Sequence, residues 1–342
     1  MHCSFSALDA YFGVSPGPVR FLWAEGGVVE LASGHDGLSF PGLPYADAAD
    51  DTGEPRLRFQ CAEGDARPAF PQLRLLHDPA AKRFYARGGV YETLHTSRPR
   101  PDESTPELVL FEAAILASRY AYEPETEGLP SLGACGADCQ RDLLDLIITG
   151  AHPEKGLEIL RISGFLDSFW PDIAGLTLVD HVKDFHPEGD AWRHTLETFA
   201  HRKSPDQILS LALLLHDAGK LDAVANEGRR FDRHSELGER TARNFLRKLG
   251  YPQSVVDDVA FLVRNHMLPA ALPRIPPSSI ENVLRHPLFP TLLEVYRCDE
   301  LSTFRGPDGY YEACAVYKAY LRNVRNPYRG PDGKKRALAR SE

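Results

Sequence analysis

Leu209-Ser210-Leu211-Ala212-Leu213-Leu214-Leu215-His216-Asp217-Ala218-Gly219-Lys220 is an apolar helical run that ends on an imidazole and a carboxylate. A segment this apolar seeks burial, and a charge carried inside with it needs a partner to offset its desolvation. A bound metal is the most economical partner. Pairing alone says little, because His35-Asp36 and His77-Asp78 also occur. Those two stand beside Gly or Pro in turn-like sequence and read as solvated loops. Only the pair at 216 has apolar helix before it and further His and Asp residues at matching positions.

Seven of the 13 histidines fall between residues 181 and 266. His181 and His201 have no evident role, while the others can be placed on helices. His194 lies near the start of an amphipathic helix in Asp190-Ala191-Trp192-Arg193-His194-Thr195-Leu196. His234 precedes Ser235-Glu236, which suit a helix start, and His266 ends the run Val259 to Asn265. Asp299 follows an apolar stripe from Leu292 to Cys298. Five helices each offering one inward group is how a helical bundle builds a metal site in its core.

Imidazole with carboxylate suits Mn, Fe, Ni, Co or Zn better than calcium, and Mg less well. If His194, His216, Asp217 and Asp299 form one site, His234 and His266 complete a second. Asp217 then bridges two metals about 3.5–4 Å apart, with a hydroxide held between them. The competing reading is that a histidine on an apolar helix is a hydrogen-bonded core or surface residue. Several in order around a His-Asp pair favour metal. The expected cofactor is therefore one or two divalent ions. Lys220 has two readings, a phosphate contact or a solvated residue at a helix end. Asp190 and Arg193, within a turn of His194, are candidates for substrate or supporting contacts.

Length and composition bound the rest. At 342 residues, 43% apolar and 25% charged, the chain has room for two domains and a sizeable core. No run is long enough to span a bilayer, and the Met1-His2-Cys3 start lacks a signal-peptide pattern. Six cysteines without regular spacing fit a reducing cytoplasm and free thiols; Cys135 and Cys139 lie four apart with no second pair to complete a zinc site. A net charge of −9 argues against a protein that coats nucleic acid broadly. The stretch from Leu321 nonetheless carries Arg322, Arg325, Arg329, Lys334, Lys335, Arg336 and Arg340. It reads as a frayed solvated tail, with a phosphate-tracking arm as the functional alternative.

Residues 1 to about 95 are rich in Gly and Pro, with short β-type runs at Val19–Trp23, Arg56–Gln60 and Phe84–Tyr91. Ser97 to Pro106 has linker composition. Beyond it the pattern turns helical at Leu108–Tyr120, Asp138–Ile148 and Glu158–Leu166. The expected fold class is α+β: a small mixed α/β N-terminal head over 1–100, a helical neck over 101–175, a helical bundle over 176–325 and a basic tail over 326–342.

The order His194, His216-Asp217, His234, His266, Asp299 resembles the ligand pattern of HD-superfamily metal-dependent phosphohydrolases. His186-Pro187-Glu188-Gly189-Asp190-Ala191-Trp192-Arg193-His194-Thr195 is similar to the entry segment of the HD domain in bacterial tRNA nucleotidyltransferases and poly(A) polymerases, and His216 to Lys220 is similar to its central motif. The resemblance covers about residues 180–305. It implies a helical HD fold, bound divalent metal and phosphoester hydrolysis; His186 matches a family position or is a loop histidine.

The likeness extends faintly upstream. Phe70 to Pro79 followed by Gly88-Gly89 looks like the late part of a nucleotidyltransferase head. Pro68-Ala69 stand where that family has Arg-Asp, and Leu73 replaces its Asn. In the neck, Val109, Glu112 and Ile115 occupy the positions of three nucleotide-recognising arginines, so a Glu there reverses the charge facing a triphosphate. The Gly-Gly-x-Val-Arg-Asp loop and paired Asp-x-Asp carboxylates are missing; Asp47, Asp50 and Asp51 read as a solvated loop. The head is expected not to polymerise; structural support, RNA docking and ligand sensing all stay open as its role. Arg141–Ile148 and Gly156–Leu166 also look like that family's neck and supply core stripes.

The resulting expectation is a cytoplasmic HD-type phosphohydrolase with Asp217 and Lys220 catalytic and Lys220 and Arg193 binding substrate. His194, His216, Asp217, His234, His266 and Asp299 would hold metal. Kinship suggests nucleotides, 2′,3′-cyclic phosphates or phosphorylated RNA ends as substrates, with tRNA a candidate partner and no membrane. The alternative is a nucleotidyltransferase-related protein that binds RNA, with a structural metal site and no hydrolase activity. A working nucleotidyltransferase and a hydrolase of cyclic dinucleotides or alarmones are further rivals.

Overall fold

A computed structural model describes residues 2–14, 68–78, 82–85, 90–120, 122–179, 189–225, 233–303 and 306–335. The chain divides into two compact units, Met1–Trp170 and Pro171–Glu342. Most of the expected mixed head, including the runs at 19–23 and 56–60 and the aspartates at 47, 50 and 51, lies outside the described residues.

In the first unit, β1 (His2–Cys3), β2 (Leu76–Asp78) and β3 (Arg83–Tyr85) pair antiparallel in that order, with His77 opposite both His2 and Phe84. α1 (Ser4–Phe12) follows β1 directly. His77-Asp78 is therefore strand and not the loop its turn-like flanks suggest. Ladder pairing on both edges overrides the neighbouring Pro, and the His77 ring stacks on Phe84 with centroids 4.5 Å apart. Val90-Tyr91, read as the end of a strand, instead begins α2 (Val90–Thr93).

α3 (Pro106–Tyr120) starts with Pro at its first position, where the missing N–H costs nothing. It is buried almost all round from Leu110 to Arg119, which makes it the core helix of this unit. α4 (Ala137–Ile148) and α5 (Pro153–Ile162) pack on it. The stripe from Glu158 to Leu166 does not continue as one helix: Gly164 takes φ +78°, and α6 (Phe165–Phe169) begins anew beyond it. Arg119 and Asp9 form a buried ion pair at 2.9 Å, joined by the Tyr120 hydroxyl at 2.7 Å from the same carboxylate oxygen.

Glu112 does not face an open nucleotide site. It is wholly buried on α3, and its Oε2 accepts the Phe70 backbone N–H at 3.0 Å. The Ala69-Phe70 segment is thus stitched to α3, next to Pro68-Ala69, the pair that the resemblance sets against Arg-Asp. Burial pushes the Glu112 carboxyl up to about 8, against the opposing pull of the Phe70 and Ala69 amides and of Arg74.

The second unit is helical: α7 (Pro171–Ala174), α8 (Ala191–Ala200), α9 (Gln207–Leu215), α10 (Lys220–Ala225), α11 (His234–Lys248), α12 (Gln253–Asn265), α13 (Leu268–Ala271), α14 (Glu281–Leu284), α15 (Phe289–Leu301) and α16 (Asp308–Val324). The Asp190 carboxylate caps α8 by accepting Arg193 N–H, and Asp206 caps α9 by accepting Leu209 N–H, each at 2.8 Å. α9 is buried from Leu209 to Leu215 because α8, α12 and α15 all pack against it. The stretch from Leu321 is not a frayed tail as far as Lys335. Leu321 to Val324 complete α16, and a turn follows in which Gly330 N–H meets the Lys334 carbonyl at 2.8 Å. No described helix is long and apolar enough to cross a membrane.

Glu112 makes a prediction about the first unit. Its folded value lies above its unfolded one, so the folded chain holds an extra proton through the window between them. Stability is full below about 4.5 and lost as pH rises through about 8. Denaturant unfolding should show a loss of about 2–3 kcal/mol between pH 6 and pH 8. Glu112→Gln should flatten that slope; an unchanged slope would assign the pH dependence elsewhere.

Candidate metal centre

The apolar runs that make α9 and α12 end on histidine for the same local reason. Each imidazole caps its helix by giving Nδ1–H to the carbonyl three residues back: His216 to Leu213 and His266 to Val263, both at 2.8 Å. A carbonyl only accepts, so Nδ1 carries the proton and Nε2 presents a lone pair. His194 is set similarly. The Ser302 hydroxyl donates to the Asp299 carbonyl at 2.7 Å, leaving its oxygen to accept from His194 Nδ1 at 3.2 Å.

These three rings, with His234, converge on two carboxylates. His194 Nε2 lies 2.9 Å from Asp299 Oδ1 and 3.9 Å from Asp217 Oδ2, and His216 Nε2 lies 3.3 Å from the same Asp217 oxygen. On the other side, His234 Nε2 is 3.8 Å from Asp217 Oδ1 and 3.1 Å from His266 Nε2. His194, His216, Asp217 and His266 are all essentially buried. Two groups of potential ligands result, His194-His216-Asp217 and Asp217-His234-His266, joined by Asp217. All six residues that the sequence singles out as metal ligands are brought to one place.

The donors fit a divalent ion. Lone pairs from several imidazoles and carboxylates facing one another repel unless a cation lies among them. Separations of 2.9–3.3 Å suit neighbouring ligands of one ion with bonds of about 2.0–2.2 Å. His216 Nε2 is buried and meets no hydrogen-bond partner among the described residues, which is how a ligand nitrogen looks before its ion is considered.

The electrostatics agree. Burial would raise the Asp217 carboxyl, but the His216 imidazole and the Lys220 ammonium outweigh it and hold it well below the usual carboxylate range. Asp299 is likewise held below the usual carboxylate range, against its burial, by the nearness of His194 and His216. Burial, with His216 and His234 close by, pushes His266 down to about 4, so its ring stays neutral and able to ligate at neutral pH.

Lys220 is not a solvated residue at a helix end. It is buried, and its Nζ lies 2.5 Å from Asp217 Oδ2, on the same oxygen that faces His194 and His216. Arg193 points away into solvent: its side chain is 72% exposed and 3.9 Å from Asp190. The residue that sequence reasoning missed is Ser302. Its signal was present in Asp299-x-x-Ser302, a one-turn spacing on the ligand-bearing helix. His181 and His186 lie outside the described residues.

Gly219 lets α11 come close. A Cβ there would stand 2.1 Å from the His234 carbonyl oxygen and 2.3 Å from Gly238 N, both backbone atoms that cannot swing aside. The side-chain-free turn after Asp217 therefore sets how near His234 comes. Gly219→Ala should push α11 off and destabilise the unit by about 2 kcal/mol or more. Titration calorimetry with Mn or Ni should show weaker binding at the His234-His266 position; unchanged affinity would mean that the approach does not position His234.

No protein-family model matches the chain. It is similar over part of its length to multifunctional CCA proteins. That of Halorhodospira halophila is 34% identical over 117 residues, 34% of this chain and 28% of the relative. That of Neisseria meningitidis serogroup C is 30% identical over 138 residues, 39% of this chain and 33% of the relative. The Neisseria gonorrhoeae protein is 28% identical over 189 residues, 52% of this chain and 46% of the relative. The chain thus spans less than half the length of these curated relatives.

Proposed function

We propose that this chain is an HD-type, divalent-metal-dependent phosphohydrolase acting on phosphoesters of nucleotides, 2′,3′-cyclic phosphates or phosphorylated RNA ends. The observation that carries this reading is the pair of ligand groups sharing one buried carboxylate, Asp217. Divalent metal bound there supplies neutralisation of phosphoryl oxygens and a lowered pKa for bound water. His194, His216, Asp217 and Asp299 would hold one ion, and His234, His266 and Asp217 a second. The residues behind them fix the donors: Leu213 O, Val263 O and Ser302 Oγ each take the Nδ1 proton of a histidine, so its Nε2 remains a lone-pair donor. Lys220, held on Asp217, places a positive charge beside the position a phosphoryl oxygen would take. Burial of His194, His216, Asp217 and His266 limits access of bulk water. Functionally we divide the chain into head (1–100), neck (101–175), HD domain (176–325) and basic tail (326–342), and place it in the cytoplasm.

A second reading has the relatives behind it: a nucleotidyltransferase-related protein that binds RNA, in which the same cluster staples the helices and cleaves nothing. The name multifunctional CCA protein favours this reading over the first, whereas the ligand geometry favours the first. Nucleotidyl transfer by this chain itself is opposed by Glu112, buried and bonded to Phe70 in the place of a recognising arginine.

Hydrolysis of 2′,3′-cyclic AMP, bis-p-nitrophenyl phosphate and a nucleotide panel, each with Mn, Ni, Co or Mg, separates the two. Metal-dependent turnover should appear and fall at least about a hundredfold in Asp217→Ala. Absence of turnover from protein shown to carry metal would overturn the hydrolase and leave the RNA-binding reading.

A further inference from the structure

The C-terminal stretch collects cations where the rest of the chain is acidic. Arg322 and Arg325 lie at the end of α16, and Arg329, Lys334 and Lys335 lie on the turn after it; all five are exposed. The turn is folded back rather than free. Arg329 and Lys335 form an antiparallel bridge, and Asn323 of α16 donates to the Pro331 carbonyl at 3.3 Å. Asp332, the acid within the turn, accepts from Ser278 N–H at 2.8 Å, which anchors the turn beside residues 276–280. Tyr328 stands between the helix cations and the turn cations with 66% of its surface exposed.

A helix C-terminus attracts cations, and this accounts for Arg322 and Arg325. It does not account for Arg329, Lys334 and Lys335, which lie beyond the helix, or for an exposed tyrosine among them. Among the described residues none of the five forms an ion pair, although Lys334 lies near enough to Asp332 to draw on its charge. The acids of α16, Asp308 and Glu312, are at its other end; Glu312 is about 15 Å from Arg322 along the axis. Exposed cations on either side of an exposed tyrosine along a folded-back turn suit a single nucleic-acid strand, whose phosphates meet the charges while a base stacks on the ring. A bilayer surface would reward charge alone and leave the ring without a specific role.

We propose that the end of α16 and its folded-back turn, through Arg322, Arg325, Tyr328, Arg329, Lys334 and Lys335, form a docking surface for single-stranded RNA. The choice of RNA over DNA rests on the function proposed above; the surface itself is independent of whether the metal centre cleaves anything.

The test is fluorescence anisotropy of the full chain with a labelled 12-nucleotide RNA across a salt series, and parallel flotation with phosphatidylglycerol vesicles. The quadruple variant Arg325→Ala, Arg329→Ala, Lys334→Ala, Lys335→Ala should weaken RNA binding at least about tenfold, and should shallow the salt slope by about 0.7 for each phosphate that is no longer neutralised. Tyr328→Ala should weaken RNA binding about fivefold or more while leaving heparin binding unchanged. Circular dichroism and melting confirm folding, which exposed substitutions should preserve. RNA affinity equal to wild type in the quadruple variant would overturn the proposal. So would vesicle binding that disappears with the cations together with RNA binding indifferent to Tyr328. Turnover of bis-p-nitrophenyl phosphate keeps the two readings apart: RNA binding through these residues without turnover would sink only the hydrolase, and turnover with RNA binding indifferent to the patch would sink only the docking surface.

Discussion

A carboxylate that stays charged inside an apolar bundle organises the second unit. Asp217 follows α9, apolar from Leu209 to Leu215 but for Ser210, into the interior, where ionisation would be opposed by desolvation. The Lys220 ammonium on its Oδ2 compensates that charge, and the ring nitrogens of His194, His216 and His234 lie within 4.0 Å of its oxygens, where a cation would be shared among them. Of the helices that carry the cluster, α8, α12 and α15 pack on α9, while α11, which brings His234, packs on α12 and α10. Core packing thus brings α8, α12 and α15 to α9 with His194, His266 and Asp299, and a second layer of packing adds His234.

The histidines contribute as much through their protected side as through their free one. Two are fixed by the carbonyl left over at the end of their own helix, and the third by a hydroxyl whose proton is committed to a neighbouring carbonyl. Helix ends ordinarily leave carbonyls needing partners. Here that need is met by residues that in turn gain a defined tautomer, so an unavoidable feature of helix geometry sets the chemistry of the cluster.

Much of the candidate centre was legible in the sequence because apolar periodicity fixes where helices stop. A run such as Leu209–Leu215 or Val259–Asn265 must end where a polar residue can satisfy its terminal carbonyls, and His216 and His266 stand at those points. Distances between helices carry no such periodic signal. That Gly219 admits α11, that Lys220 turns inward, and that Ser302 lies behind His194 depend on packing between segments far apart in the chain. The strand at His77 escaped for a related reason: its partners, residues 2 and 84, are distant from it or separated by a turn, and local composition argued for a loop. The cationic end of α16 read as a frayed arm because the bonds that hold its turn come from Ser278 and Asn323.

The stitch between Glu112 and Phe70 also limits what side chain position 112 can hold. An arginine at 112 would have to place a guanidinium where a carboxyl is enclosed, beside the positive charge of Arg74 and facing backbone N–H groups that already donate. Each of those neighbours favours an acceptor and penalises a cation. A single Glu112→Arg change would therefore weaken the first unit whatever it did for an anion nearby, so the enclosure of one carboxyl fixes the sign of charge that α3 can carry at this position.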